Sequence, residues 1–249
     1  NRHWGTVRDA SGRARKCDSF LDSIMNELKK RNYEIVTVYP CGYSISGVKV
    51  MIDRLKMGKG MTHKAFNVYW SIRIWKKTYD ARGYFRNIWK NILEKNEEFI
   101  GLRKYGLELS FYFNSFFEYI IKNIEIAKEL VEKEDPDLVL VTDEYGIFGR
   151  AMVVAGKLKK VPTLAIQHGN IGLGCTYPKG SISVSGSVKT PYCPIPDKTA
   201  VYGQYYYELL TKMSDYPSKS VVITGQPRYD TLRAADRVFS KKKFCDRLN

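Results

Sequence analysis

Histidine is scarce in this chain, with three in 249 residues, and the five cysteines are odd in number and far apart. Cys17, Cys41, Cys175, Cys193 and Cys245 form no Cys-x-x-Cys pair, and three histidines cannot complete a zinc site with them. That spacing excludes zinc ribbons and dithiol redox motifs and reads as isolated buried thiols, with no metal expected. No apolar run approaches the roughly 18 residues that would span a bilayer, and no N-terminal apolar stretch ends in a small-residue cleavage site. A cytoplasmic protein is therefore expected, with peripheral contact at the inner face of the membrane as an option. Also missing are the Gly-x-Gly-x-x-Gly dinucleotide fingerprint, the Gly-x-x-x-x-Gly-Lys-Ser/Thr phosphate loop and the Gly-x-Ser-x-Gly nucleophile elbow, so no cofactor is expected. There is no internal repeat and no low-complexity tract.

What is present is ordinary globular material with a large basic excess. The chain is 44% hydrophobic, enough for a sizeable core, and 41 basic against 26 acidic residues leave a net charge of +15. An anionic partner follows: nucleic acid, acidic lipid or a sugar nucleotide. Much of the basic charge lies between Arg54 and Lys104, interleaved with Tyr69, Trp70, Trp75, Tyr79, Tyr84, Phe85 and Trp89. The favoured reading is a helix pair with aromatics inward and Lys/Arg in solvent. Membrane-surface contact is next, and nucleic acid last, because no nucleic-acid motif accompanies the charge. The chain begins at Asn1 and stops in the polar, helix-like stretch from Phe239 to Asn249. It is expected to be a piece of a longer protein.

The pattern of residues predicts an α/β protein. A basic loop leads to an amphipathic helix from Ser19 to Arg31 and a strand, Glu34 to Tyr39. Residues 61–133 read as helical, with breaks at Gly83 and from Gly101 to Gly106. The last of these helices places Phe113, Phe117, Ile120, Ile124, Ala127 and Val131 in one apolar stripe expected to pack on the sheet. Asp135-Pro136 should end it. A βαβ rhythm follows: the strand Asp137 to Thr142, a helix from Ile147 to Leu158, and the strand Pro162 to Gln167. A Gly/Ser/Pro-rich loop or small hairpin occupies 170–197. Then come the strand Lys198 to Tyr202, a helix from Gln204 to Lys212, and the strand Ser220 to Thr224. Short, nearly continuous apolar strands joined by helices predict a Rossmann-like parallel sheet with flanking helices and a helical insertion.

Open α/β sheets bind ligands outside the carboxyl ends of their strands. Four segments follow the predicted strands: Asp143-Glu144-Tyr145-Gly146, Gln167-His168-Gly169-Asn170, Gly203, and Gly225-Gln226-Pro227-Arg228-Tyr229-Asp230. One of Asp143 and Glu144 could act as a general base, or the pair could simply cap the next helix. His168, directly after an apolar strand and beside a glycine that lets a ligand approach the backbone, is either a base or a hydrogen-bonded turn residue. Arg228 suits a phosphate or carboxylate, with a structural salt bridge to Asp230 as its alternative.

Ile166-Gln-His-Gly169 and Val222-Ile-Thr-Gly-Gln-Pro-Arg-Tyr-Asp230 resemble segments of GT-B-fold enzymes that make surface polysaccharides. The second is similar to the Gly-x-Pro-Arg-x-Asp segment of the CDP-glycerol glycerophosphotransferases and, more loosely, to the Thr-Gly-Asn-x-x-x-Asp segment of the UDP-N-acetylglucosamine 2-epimerases. The resemblance covers residues 135 to about 233, and Gln167 stands where many glycerophosphotransferases carry tryptophan. It implies that residues 1–224 are an N-terminal, acceptor-side domain and that 225–249 lead into a nucleotide-donor domain. It implies a transferase moving a sugar or polyol phosphate from a nucleotide-activated donor to a glycan or lipid-linked acceptor. His168, Asp143 and Glu144 are then the catalytic candidates. Gln167, Gly169, Gly225, Gln226, Arg228 and Asp230 are the expected substrate contacts. The alternatives are a nucleotide-sugar epimerase of the same fold and a non-enzymatic basic module binding RNA or membrane.

Overall fold

A computed structural model describes residues 4–8, 14–18, 21–39, 62–95, 104–172 and 194–229. Its centre is a four-stranded sheet of β5 (Val139–Val141), β6 (Thr163–Ile166), β7 (Lys198–Val201) and β8 (Val221–Ile223), in that order and parallel throughout. The protein is mixed α/β with parallel sheets and flanking helices, consistent with a Rossmann-like fold. The strands lie within their expected spans and are one to three residues shorter.

When parallel strands add in one direction with connections of one hand, the connecting helices share a face. Here α5 (Ile147–Lys159) joins β5 to β6, and α6 (Gln204–Glu208), continued by a wider turn over Leu209–Met213, joins β7 to β8. The register puts Val139, Val141, Ala165, Val201 and Val221 on one side of the sheet. The first three pack in one core cluster with α5, the last two in a second with Leu209 and Leu210. On the other side Ile166 and Ala200 meet Leu21 and Ile24, the latter on α1 (Asp22–Lys30).

The long helix α4 (Phe117–Glu134) packs on α5 and on α2 (Ile72–Lys95). Its buried residues are Asn123, Ile126, Ala127, Leu130 and Val131, so the apolar stripe is rotated from the expected one. A helix held between two partners buries a wider face than a stripe aimed at a sheet alone. A left-handed cap at Asp135, before Pro136, ends α4 as expected.

Three sequence expectations are corrected. Residues 62–65 are not helical but form β4 (Thr62–Ala65), parallel to β3 (Val36–Tyr39). From Lys64, Nζ donates to Glu134 at 2.6 Å and 2.7 Å, and Tyr69 Oη donates to the same carboxylate at 2.6 Å. These bonds and the burial of Ala65 and Phe66 outweigh the weak strand pattern of Thr-His-Lys-Ala. Nor does Gly83 break α2, because packing of Phe85 on Phe117 and Trp89 on Phe113 holds the helix through it. The expected N-terminal loop contains an antiparallel pair, β1 (Trp4–Arg8) and β2 (Ala14–Asp18). A short helix α3 (Gly106–Phe111) precedes a wide turn, Tyr112–Phe116, that runs into α4. Most of the 170–197 loop and residues 230–249 of the 225–249 segment lie outside the described residues.

Candidate functional site

Because β5 to β8 are parallel and adjacent, their carboxyl ends share one edge of the sheet. Strands stand about 4.8 Å apart, so Asp143 and His168 follow neighbouring strands while Gly225 lies two spacings, roughly 10 Å, beyond His168. The whole edge from β5 to β8 is roughly 14 Å, the reach of a nucleotide-sized ligand rather than of a single small group.

Asp143 is exposed, and its Oδ1 accepts a hydrogen bond of 3.0 Å from the Gly146 N–H at the start of α5. It closes the turn that leads into the helix, and the helix itself, with Gly146 at its N-cap, has no side-chain capping bond. A Cβ at Gly149 would stand 1.7 Å from the Asp143 carbonyl oxygen, so only glycine lets the Asp143–Glu144 backbone lie on α5. Glu144 turns the opposite way and is 4% exposed. Burial, reinforced by the adjacent Asp143 charge, pushes its carboxyl up to about 7 despite hydrogen bonds from its own backbone, Tyr145 and Tyr216. Its Oε1 is buried without a hydrogen-bond partner. The two tyrosine hydroxyls also meet each other, Tyr216 Oη and Tyr145 Oη standing 3.2 Å apart.

Gln167 is 3% exposed and spends its amide on backbone. Its Nε2 donates to the Gly169 carbonyl at 2.8 Å, and its Oε1 accepts from the Tyr202 N–H at 2.9 Å. Expected as a substrate contact, it ties the end of β6 to the end of β7. His168 is half-buried at the rim and interacts with neighbouring protein atoms. Asn170 Oδ1 accepts from Tyr206 Oη at 2.5 Å, which fixes the far side of this turn against α6.

Beyond β8, Gly225 has φ +79°, a left-handed conformation that side chains resist. Gln226 is 9% exposed, its Nε2 donates to Tyr202 Oη at 3.0 Å, and its Oε1 is buried without a partner. Arg228 lies in the short helical turn Pro227–Tyr229, and its side chain, like the whole of Asp230, is outside the described residues.

The glycines of this edge differ from those beneath it. A Cβ at Gly169, Gly203 or Gly225 would meet nothing within 4 Å, whereas one at Gly156 would stand 2.5 Å from Thr163 Cγ2. Glycine borders open space at these three rim positions, whereas a Cβ at Gly146, on the same edge, would stand 2.6 Å from Asp143 Oδ2. Among the described residues no cluster of three or more His, Cys, Asp or Glu side chains is gathered to hold a metal, and no helix is long and apolar enough to cross a membrane.

Sequence reasoning selected the strand-end segments but missed Tyr145, Tyr202 and Tyr216. Their importance lies in hydroxyl contacts across the fold, for which a single sequence carries no signal. Compared with protein-family models and with curated proteins, the chain matches none.

Proposed function

We propose that the carboxyl edge of the four-stranded sheet is the acceptor side of a GT-B-type transferase, moving a sugar or polyol phosphate from a nucleotide-activated donor to a glycan or lipid-linked acceptor. The observation that carries this reading is the parallel run of β5 to β8, which sets Asp143, His168 and the Gly225 turn along one edge of nucleotide length. In the sugar-transfer case His168 takes the proton of the acceptor hydroxyl, whose oxygen bonds to the anomeric carbon as the bond from that carbon to the phosphate oxygen breaks. The leaving phosphate takes its charge stabilisation from N–H groups of the Gly225–Gln226 turn and from Arg228. Asp143, one strand away, faces the same open edge. Glu144 is a protonatable group held beneath it, and Gln167 positions the His168 turn.

The test is release of nucleotide from CDP-glycerol and from UDP-sugars by the full chain, with and without glycan acceptors. Acceptor-dependent release, lowered roughly 10²- to 10⁴-fold in kcat by His168→Ala, is the expected result. Gly169→Ala adds a methyl group where the fold has room, so a rise in KM with unchanged thermal stability would report ligand at that rim. Turnover of a nucleotide sugar without acceptor would favour an epimerase, and full activity in His168→Ala would remove the assigned base.

A further inference from the structure

The aromatics of the basic region do not all turn inward. Tyr69 and Trp89 are buried, but Trp75 is 53% exposed, Tyr79 58% and Ile72 76%. On α2 these three recur at steps of three and four, the spacing of one helical face. Trp75 and Tyr79 stack on each other with ring centroids 5.7 Å apart. Just before the helix, Val68 and Trp70 are exposed as well. Between Trp70 and Trp75 the surface opens into a cavity of about 270 Å³ that reaches Thr78, Glu118 and Lys122.

Charge is sorted around the same helix. Arg73, Lys77 and Arg82 lean onto α4 and pair with Glu129, Glu125 and Glu118. That ladder neutralises one flank and joins the helices. Lys76, Arg86 and Lys90 fall by helical spacing at the face of Ile72, Trp75 and Tyr79, and the one carboxylate between Ile72 and Lys90 is the exposed Asp80, which stands beside Lys76 at the edge of that face and leaves it with a cationic excess. Aliphatic and aromatic side chains with interleaved cations, on a 24-residue helix too polar to cross a bilayer, make an interfacial surface.

We propose that this face of α2, extended by Val68 and Trp70, docks on an anionic lipid surface, with Ile72, Trp75 and Tyr79 entering the headgroup boundary and Lys76, Arg86 and Lys90 meeting lipid phosphates. Charge complementarity selects this occupant. A second copy of the chain would set cations against cations. Single-stranded RNA fits less well, because Ile72 and Val68 offer bases no stacking surface and the rings of Trp75 and Tyr79 already face each other. The inference does not rest on the transferase reading.

The experiment is co-sedimentation of the full chain with vesicles of mixed phosphatidylcholine and phosphatidylglycerol, against pure phosphatidylcholine. Binding to the anionic vesicles only, weakened by salt, is expected. Lys76→Gln and Arg86→Gln should each lower partitioning roughly fivefold, and the triple change Ile72→Ser, Trp75→Ser, Tyr79→Ser should abolish it with an unchanged circular dichroism spectrum. Should the triple variant misfold, quenching of tryptophan fluorescence by brominated acyl chains, reduced in Trp75→Phe and lost when Trp70→Phe is added, supplies the same test. Absence of binding to anionic vesicles, binding that survives loss of the three side chains, or binding of homopolymeric RNA in place of vesicles would each overturn the proposal.

Discussion

Gln167 has nearly the shape of leucine at its stem but quite different chemistry at its tip. Gln167→Leu would leave the Gly169 carbonyl and the Tyr202 N–H without the bonds they now make. An unsatisfied buried group costs about 1–3 kcal/mol, so a loss of a few kcal/mol is expected in chemical denaturation. Under the proposed function kcat should fall too, because the His168 turn loses its anchor. The sequence showed an amide beside a histidine and suggested a ligand contact. Whether an amide faces ligand or backbone depends on what the neighbouring strand offers, and β7 enters the chain more than thirty residues later. Asp143 and Glu144 pose the same difficulty at closer range. Adjacent residues on a turn point in different directions, and only packing makes one a turn cap and the other a buried acid.

At the scale of elements, α5 is fitted to the sheet by two glycines with different neighbours. Gly149→Ala would drive a methyl group into the Asp143 carbonyl, a backbone atom that can yield only by moving the β5–α5 turn. Gly156→Ala meets the Thr163 side chain and the Val161 carbonyl instead. Both should destabilise the protein by about 1–3 kcal/mol. Gly149→Ala should additionally shift the environment of Tyr145, readable in near-ultraviolet circular dichroism, whereas Gly156→Ala should not. The strands β5, β6 and β8 were legible because each is a short run dominated by apolar residues with polar or turn residues on both sides, and β7 (Lys-Thr-Ala-Val) was legible from its place in the alternation of strands and helices. β4 was not, because one apolar residue in Thr-His-Lys-Ala gives no periodicity and the strand is held by β3 and by Glu134. The phase of α4 was missed by one position in part, since its second partner, α2, could not be known from its own stripe.

For the molecule as a whole, stability should depend on pH through two opposed sets of carboxyls. Lys64 and Tyr69 hold Glu134 below its ordinary range, and Arg73 does the same for Glu129. Such groups bind fewer protons folded than unfolded, so their stabilisation is present above the unfolded carboxyl range and is lost as the pH falls through their folded values. Glu144 has the reverse sign. Raised from 4.5 to about 7, it binds more protons in the folded state, so its contribution is full below 4.5 and disappears as the pH climbs to 7. That shift corresponds to about 3 kcal/mol. Glu144→Gln removes this titration, so the decline in melting temperature between pH 4.5 and 7 should flatten while the acid limb below it stays in place.

Taken in sequence, the carbonyl of Gly169, the amide of Gln167, the main chain and hydroxyl of Tyr202 and the amide of Gln226 are links in a single tether across three strand ends. A tether of this kind has little slack. If the turn at Gly225 swings, the histidine turn is pulled with it, and whatever settles against one end of the rim alters the posture of the other.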